Sequence, residues 1–347
     1  MVVMSGGKTR SSQGVVMVDV ARAAGVSQKT VSRVVNGAPH VRAEVRDKVN
    51  QAIEQLGYRP NAAAQALARE RSHTIGALTL GTPLVGPSRR MFGLEHEARR
   101  LGYRMALVSV PNLSARSVAA GIDTLLAQRV EGLVIEVPTH LIEVSATQLD
   151  GLPVVTSAGW IPGLPRQIVV DVDQEEACRA LTRYLLGLGH RTVWHVAGPR
   201  DWDAAQKRLN GWRSALRDAR RKVPRVLYGD WSAASGYEHG RKLAEQGEVT
   251  AVFAANDQMA MGVLRAFYEA GRRIPADVSI VGFDDVPEAE FQMVPLTTVA
   301  VAAEEAAQRI VGELLQLING GEPPSREVTL PGTQLIVRKS TGPASQQ

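Results

Sequence analysis

"VDVARAAGVSQKTVSRVVNG", Val18 to Gly37, reads as two short helices joined by a glycine turn. Val18, Val20, Ala21 and Ala24 suggest the first helix. Gly25 ends it, because glycine accepts the left-handed backbone of a helix C-terminus. Ser27 supplies an N-cap for the second helix, whose inner side is Thr30, Val31, Val34 and Val35. A third runs from about Ala43 to Leu56, with Val45, Val49, Ala52, Ile53 and Leu56 at helical spacing, and Gly57 stops it. The outer side of the second helix carries Gln28, Lys29, Ser32 and Arg33, which share one face. A helix-turn-helix lays its second helix in the major groove of DNA. There arginine grips guanine, glutamine grips adenine, lysine suits guanine or phosphate, and Ser32 can donate to phosphate. Spacing alone leaves this reading open beside a three-helix bundle whose polar face is simply solvated.

The 347-residue chain is too long for one ordinary domain. No apolar run approaches the length of a membrane span. Residues 1–14, "MVVMSGGKTRSSQG", lack the apolar centre of a signal peptide and read as a disordered polar tail. The single cysteine, Cys178, excludes an internal disulfide framework and a multi-cysteine zinc site, and fits a reducing cytoplasm. Net charge is +5, unevenly placed. Residues 1–71 hold eleven basic and five acidic side chains, a surplus of six, so the rest of the chain is about one charge negative. The segment that would meet a polyanion carries the excess.

After the third helix comes "YRPNAAAQALARERS". Pro60 breaks, Asn61 can cap, and Ala62 to Ala68 is helix-prone. One or two turns alone are marginal in water, so order is expected only when something holds them. From His73 the pattern changes. Apolar runs ("TIGALTL", "YRMALVSV", "EGLVIEV", "LPVVTS", "QIVVDV", "TVWHVAG", "TAVFAAN", "DVSIVGFDD") alternate with helical segments such as Arg89–Leu101, Ser117–Gln128, Glu175–Leu188, Asp203–Arg220 and Gln258–Ala270. That alternation implies an α/β core of doubly wound parallel sheets, long enough for two lobes. The end, "RKSTGPASQQ", reads as a frayed polar tail.

Ligands of open parallel sheets sit beyond the carboxyl ends of the strands. Two runs end there in polar groups, at Asn256 and Asp257 and at Asp284 and Asp285. Vicinal hydroxyls suit a carboxylate, an amide and a guanidinium, each able to make paired bonds, and an aromatic face covers a sugar ring's C–H side. Arg208 and Trp231 can supply the last two roles. Taken alone, Arg208 equally fits an ion pair with a neighbouring acid, Asn256 or Asp257 a helix cap, and Trp231 loop packing.

"DVARAAGVSQKTVSRVVNG" and "GYRPNAAAQALA" resemble the signature and hinge helix of the lactose/galactose repressor family of bacterial transcription regulators. The likeness continues to about Lys339 through "LLAQRVEGLVI", "GDWSAASGY", "ANDQMAMG" and "PLTT". It implies a helix-turn-helix domain over residues 15–60, a hinge helix over 61–72, a two-lobed periplasmic-binding-protein-like core over 73–340 that binds effector and dimerises, and a polar tail over 341–347. It implies a repressor of sugar-utilisation genes, a cytoplasmic, nucleoid-associated homodimer without cofactor or membrane partner. A small sugar, a galactoside or another glycoside, would release it from a palindromic double-stranded operator. A ligand acting as corepressor, or an effector that is not a sugar, is the alternative.

At matching positions the resemblance gives Gln28, Lys29 and Arg33 the choice of bases. Asn36, His40 and Arg42 take the backbone or nearby base edges, and Leu67 is a wedge in the minor groove. Arg208, Asn256 and Asp284 fall on effector-binding positions and Trp231 on a ring-stacking one, with Leu84 and Ser88 on the facing wall. Departures from the family pattern are Val16 where a threonine cap is usual, worth about 1 kcal/mol, and Leu113, Ala158 and Val301 where polar pocket residues stand.

An enzyme is the main rival class. Asp284 and Asp285, adjacent in sequence, need not converge, and the histidines are scattered without metal-ligand spacing. His195, on an apolar strand, fits a satisfied core residue. No G-x-S-x-G elbow or P-loop occurs, so neither catalytic nor metal-binding residues are expected. A secreted sugar-binding protein with the same core is the second rival, opposed by the attached reading head.

Overall fold

The computed structural model describes residues 15–59, 71–81, 84–142, 149, 151–157, 159–322, 327–330 and 333–345. The expected hinge segment with Leu67 lies outside them except at its last two residues, as does Ala158. The chain divides into two compact units between Ser72 and His73.

The first unit holds α1 (Met17–Ala24), α2 (Gln28–Val35) and α3 (Ala43–Leu56). Gly25 and Gly57 close α1 and α3 at φ of 67° and 61°. The Ser27 hydroxyl accepts the Thr30 N–H at 3.1 Å. Val20, Val31 and Val49 are fully buried, with Tyr58 closing the cluster. Within α1, Val18 is exposed and Met17 packs inward. Val16 offers no side-chain acceptor at the head of α1, but the Asp19 carboxylate takes the Val16 N–H at 3.1 Å. That is half of a capping box and offsets part of the missing threonine.

The second unit opens with β1 (Thr74–Leu80), α4 (Val85–Arg100), β2 (Arg104–Val110), α5 (Ala115–Ala127), β3 (Leu133–Glu136), β4 (Val154–Thr156) and β5 (Gln167–Val172). These strands pair in parallel in the order β2-β1-β3-β4-β5. At Asp173 the chain passes into a second lobe. It comprises α6 (Gln174–Gly187), β6 (Trp194–Ala197), α7 (Asp203–Asp218), β7 (Leu227–Tyr228), α8 (Ala233–Ala244), β8 (Ala251–Ala254), α9 (Asp257–Glu269), β9 (Ser279–Val281) and β10 (Thr298–Val301). Its parallel sheet runs β7-β6-β8-β9. The chain recrosses at Ala302 for α10 (Ala303–Ile318) and β11 (Glu327–Leu330), which joins the first sheet beside β5. It returns for β12 (Thr333–Ile336), antiparallel to β10. This ribbon departs from the all-parallel expectation.

Side-chain caps punctuate the helices as the residue types dictate. Ser114, Asp173, Ser232 and Asn256 each accept the N–H three residues on. The helices α8 and α9 approach at glycines: a Cβ on Gly262 would overlap the Ala233 carbonyl, and one on Gly236 the Met259 backbone. Cys178 is buried in α6 as a small core residue, with its thiol pushed up by desolvation.

The expected frayed end is a second correction. Ser340 is fully buried, accepting the Thr297 N–H at 2.8 Å and donating to the Ile280 carbonyl at 2.6 Å. Gly342 donates to Ser279 Oγ at 3.0 Å and Ala344 to the Leu188 carbonyl at 2.9 Å. Polar side chains here satisfy buried backbone groups, so polarity marks a seam and not a loose end.

Candidate functional site

On the first unit, Gln28, Lys29 and Arg33 are all exposed on α2. Val31 and Val34, on the opposite side, are buried. Ser32 is half-buried and its hydroxyl accepts from Asn36 Nδ2 at 3.3 Å, so it holds Asn36 in place besides facing outward. His40 and Arg42 are exposed in the segment leading to α3. Gln28, Lys29 and Arg33 thus form a row of exposed donors on a helix braced by valines. Leu67 lies outside the described residues.

In the second unit a cleft opens between the lobes. Arg208, Trp231, Asn256 and Asp284 line one side and Leu84 the other. Leu113 and Val301 also line it, so two of the three apolar departures are present in the wall. Ser88 is a correction: it is absent from the lining, whereas Gly86, Pro87, Arg89 and Arg90 are there. Leu84 is the N-cap of α4, and the first turns of that helix bring Gly86, Pro87, Arg89 and Arg90 to the cleft instead of Ser88.

Arg208 is the centre of the polar side. Only 7% exposed, it donates through Nε to Gln174 Oε1 at 2.9 Å, through Nη1 to the Ala255 carbonyl, and through Nη2 to Asp284 Oδ1 at 3.2 Å. Its guanidinium lies 3.8 Å over the Phe283 ring. Burial pushes the Asp284 carboxyl up, and the charge of Arg208 opposes the push. Asn256 is a helix cap that also lines the cleft. Its Oδ1 caps α9 through the Met259 N–H at 2.9 Å, and its Nδ2 donates to the Trp231 carbonyl at 3.0 Å while the residue lines the cleft. Asp257 does not reach the cleft. It accepts Thr298 Oγ1 at 2.6 Å and the Val286 N–H at 2.9 Å, and burial with Asp284 nearby raises it to about 7.

Trp231 at φ 73°, Asp284 at 105° and Asp285 at 48° all hold left-handed backbone that non-glycine residues avoid. Each costs of order 1–3 kcal/mol and persists where the surroundings enforce it. Gly198 contributes, since a Cβ there would overlap the Trp231 ring. Asp284 and Asp285 engage different arginines, Arg208 at 3.2 Å and Arg338 at 2.8 Å, and form no acid/base pair.

Sequence reasoning missed Arg89, Arg90, Glu136, Trp202, Asp203 and Gln174, all in the lining. Glu136 ends β3, so the strand-end rule applied to β8 and β9 would have found it. His195 corrects a smaller point. Nδ1 hydrogen-bonds the Phe253 carbonyl at 2.9 Å and the ring stacks on Phe253 at 4.4 Å, but Nε2 has no partner among the described residues. Burial lowers its pKa to about 3. The unfolded chain binds that proton near 6.5, so stability held above this pH is lost as pH falls toward 3. Thermal melts across that window should drop for the wild type and drop less for His195→Phe.

Residues 16–61 match the bacterial regulatory proteins of the lacI family, and residues 182–341 a periplasmic binding protein-like domain. The lactose operon repressor of Escherichia coli K12 is 36% identical over 336 residues, covering 94% of this chain and 91% of that protein. A crystal structure of the lac repressor dimer bound to operator and the anti-inducer ONPF superposes at TM-score 0.87 with 35% identity, covering 95% of this chain and all of that one. A complex of the transcriptional regulator CelR with cellobiose superposes at 0.67 with 31% identity, covering 94% and 99%.

Proposed function

The chain belongs to the lacI family of bacterial regulatory proteins, and from that premise we propose that it is a DNA-binding transcriptional repressor whose operator affinity is set by a small sugar. The observation that carries the sugar reading is the buried Arg208–Asp284 pair beside Asn256 and Trp231: a guanidinium, a carboxylate, an amide and an aromatic ring meeting in one cleft. Paired donors and acceptors on an apolar floor are what vicinal hydroxyls on a pyranose or furanose require. No described helix is long and apolar enough to cross a membrane. Action in the bacterial cytoplasm, on the nucleoid, follows from the DNA-reading role.

A homodimer is the working unit, since a two-fold protein reads a palindrome and one helix-turn-helix is weak. Phe92, Leu107, Phe291 and Met293 are exposed apolar side chains that a second copy would cover. Gln28, Lys29 and Arg33 choose bases, Ser32 donates to phosphate, Asn36, His40 and Arg42 take the backbone or nearby base edges, and Leu67 is the wedge in the minor groove. The sequence of residues 61–72 is too short to hold a helix unaided. Sugar binding between the lobes therefore opposes operator binding by withdrawing the contacts that hold this segment. The coupling is reciprocal.

Titrating a palindromic operator in the presence of a sugar panel tests the reading. A binding sugar should weaken operator affinity, and a sugar that binds and leaves it unchanged would contradict the mechanism. A sugar that strengthens affinity would make it a corepressor. Arg33→Ala should cost about 1–3 kcal/mol of discrimination at one base pair. Equal losses on operator and random DNA would make Arg33 a phosphate contact.

A further inference from the structure

The second lobe carries a basic cluster that the proposed function does not use. The run "RDARRKVPR", residues 217–225, sets five cations, Arg217, Arg220, Arg221, Lys222 and Arg225, against one acid, Asp218. It is therefore four charges positive, within a core whose total is about one charge negative. All five basic side chains are exposed, as is Arg191. The Thr192 hydroxyl donates to the Lys222 carbonyl at 2.7 Å, which brings Arg191 to the same end of the lobe. Among the described residues none of these six cations has an ion-pair partner, and Asp218 is taken by Arg179.

The support is rigid. Trp212, Ala215 and Leu216 are buried on the inner side of α7, and the Trp212 indole donates to the Val193 carbonyl at 2.9 Å. One cation in the last turn answers the dipole of α7, and Arg217 is that cation. Arg220, Arg221, Lys222 and Arg225 lie beyond the helix end. Arg220 holds φ 52°, the left-handed conformation that Gly271 and Gly320 take after α9 and α10. An arginine thus stands where glycine would relieve the backbone. The helix starts at Asp203 in the cleft wall and runs about 22 Å to Asp218. The cluster therefore occupies the pole of the second lobe that faces away from the cleft. His73, where the chain enters from the head, precedes β1, whose last residue Leu80 lines the cleft, so the entry lies at the opposite pole of the core.

The surroundings select the partner. A polypeptide needs apolar or aromatic anchors at the centre of its interface, and a single nucleic-acid strand needs aromatic faces for its bases. Among the described residues no large apolar side chain is exposed between 213 and 228. Val223 and Val226 pack inward, and the Tyr228 ring is covered on one face by Arg200 at 4.0 Å. Duplex phosphates need only cations, and guanidinium forks meet them with paired bonds. We propose that this pole is a second, sequence-independent site for the phosphate backbone of double-stranded DNA. The protein then holds two duplex segments, one at the head and one at the far end of the second lobe.

The test loads the full chain at low salt onto beads carrying a short duplex of random sequence, washes, and offers a second, labelled duplex. The wild type should retain the label. A variant combining Arg220→Gly, Arg221→Gln and Lys222→Gln should stay on the beads through its head and retain at least about tenfold less label. The slope of log affinity for the second duplex against log salt should flatten by about 2–3, the loss of three phosphate contacts. Its melting temperature should be no lower than that of the wild type, because Arg220→Gly removes the left-handed strain, so lost capture is not lost folding. Arg221→Lys keeps the charge and should keep the capture. Equal label on wild type and triple variant overturns the proposal. So does displacement of the label by poly-L-glutamate, or by vesicles of anionic phospholipid, at lower charge concentration than by unlabelled duplex, since the pole would then serve an acidic polypeptide or a membrane surface.

Discussion

Arg208→Ala is expected to abolish the sugar response and to lower the stability of the core by about 3–5 kcal/mol, the cost of breaking a buried ion pair from one side. The substitution removes donors to Gln174, the Ala255 carbonyl and Asp284 together, and leaves the Asp284 carboxylate in a site that already disfavours its charge. The pH dependence follows from the same geometry. Without the guanidinium, the folded-state pKa of Asp284 rises further above its unfolded value. The protonated form is then tolerated at low pH, and stability is lost as pH rises through the raised pKa. Denaturant melts should therefore show a smaller deficit at pH 5 than at pH 8. Arg208→Lys separates folding from recognition: it keeps a cation for Asp284 but loses the fork. It should fold, bind operator and answer sugar weakly. A normal sugar response in either variant would remove Arg208 from the site.

Gly262→Ala is expected to be the most damaging one-methyl change in the chain, at or above about 3 kcal/mol, the upper end of overpacking costs. The added Cβ overlaps the Ala233 carbonyl and lies 2.5 Å from the Tyr237 nitrogen, both main-chain atoms that no rotamer change can move. Thus α9 would have to leave α8. Trp231 precedes α8 and Asn256 caps α9, and the 3.0 Å bond between them spans that gap. Sugar affinity should fall along with stability. Gly312→Ala is the matching control: it is exposed within α10 with nothing within 4 Å of the added carbon. Removing a helical glycine there should stabilise by about 0.5–1 kcal/mol. Equal melting temperatures for the two variants would refute the packing argument.

The head was nearly all legible, because its signals are local. Ser27, Gly25 and Gly57 act on the backbone within three residues, and the valine spacing decides which side faces in. The second-lobe half of the cleft was legible for a related reason: Asn256 and Asp284 sit at strand ends, where ligands of parallel sheets collect. What escaped depends on pairings distant in sequence. Nothing in "EVTL" announces that β11 will sit beside β5 while β12, two residues later, joins β10 in the other lobe. Nor does Glu136 announce Arg90, 46 positions earlier, as its partner. Ser88 was misplaced because the family pattern specifies a position, whereas the turns of α4 bring Gly86, Pro87, Arg89 and Arg90 to the cleft.

The interlaced return of the chain has a consequence for biosynthesis. The first lobe lacks an edge strand until Glu327–Leu330 has been made, and the second lacks its stitching until Ser340 and Gly342 arrive. Neither can therefore be finished before residues 327–344 have emerged, although the small N-terminal bundle is complete once Tyr58 has emerged. During translation the nascent polypeptide therefore carries a finished basic head ahead of a sensor that is still unfinished.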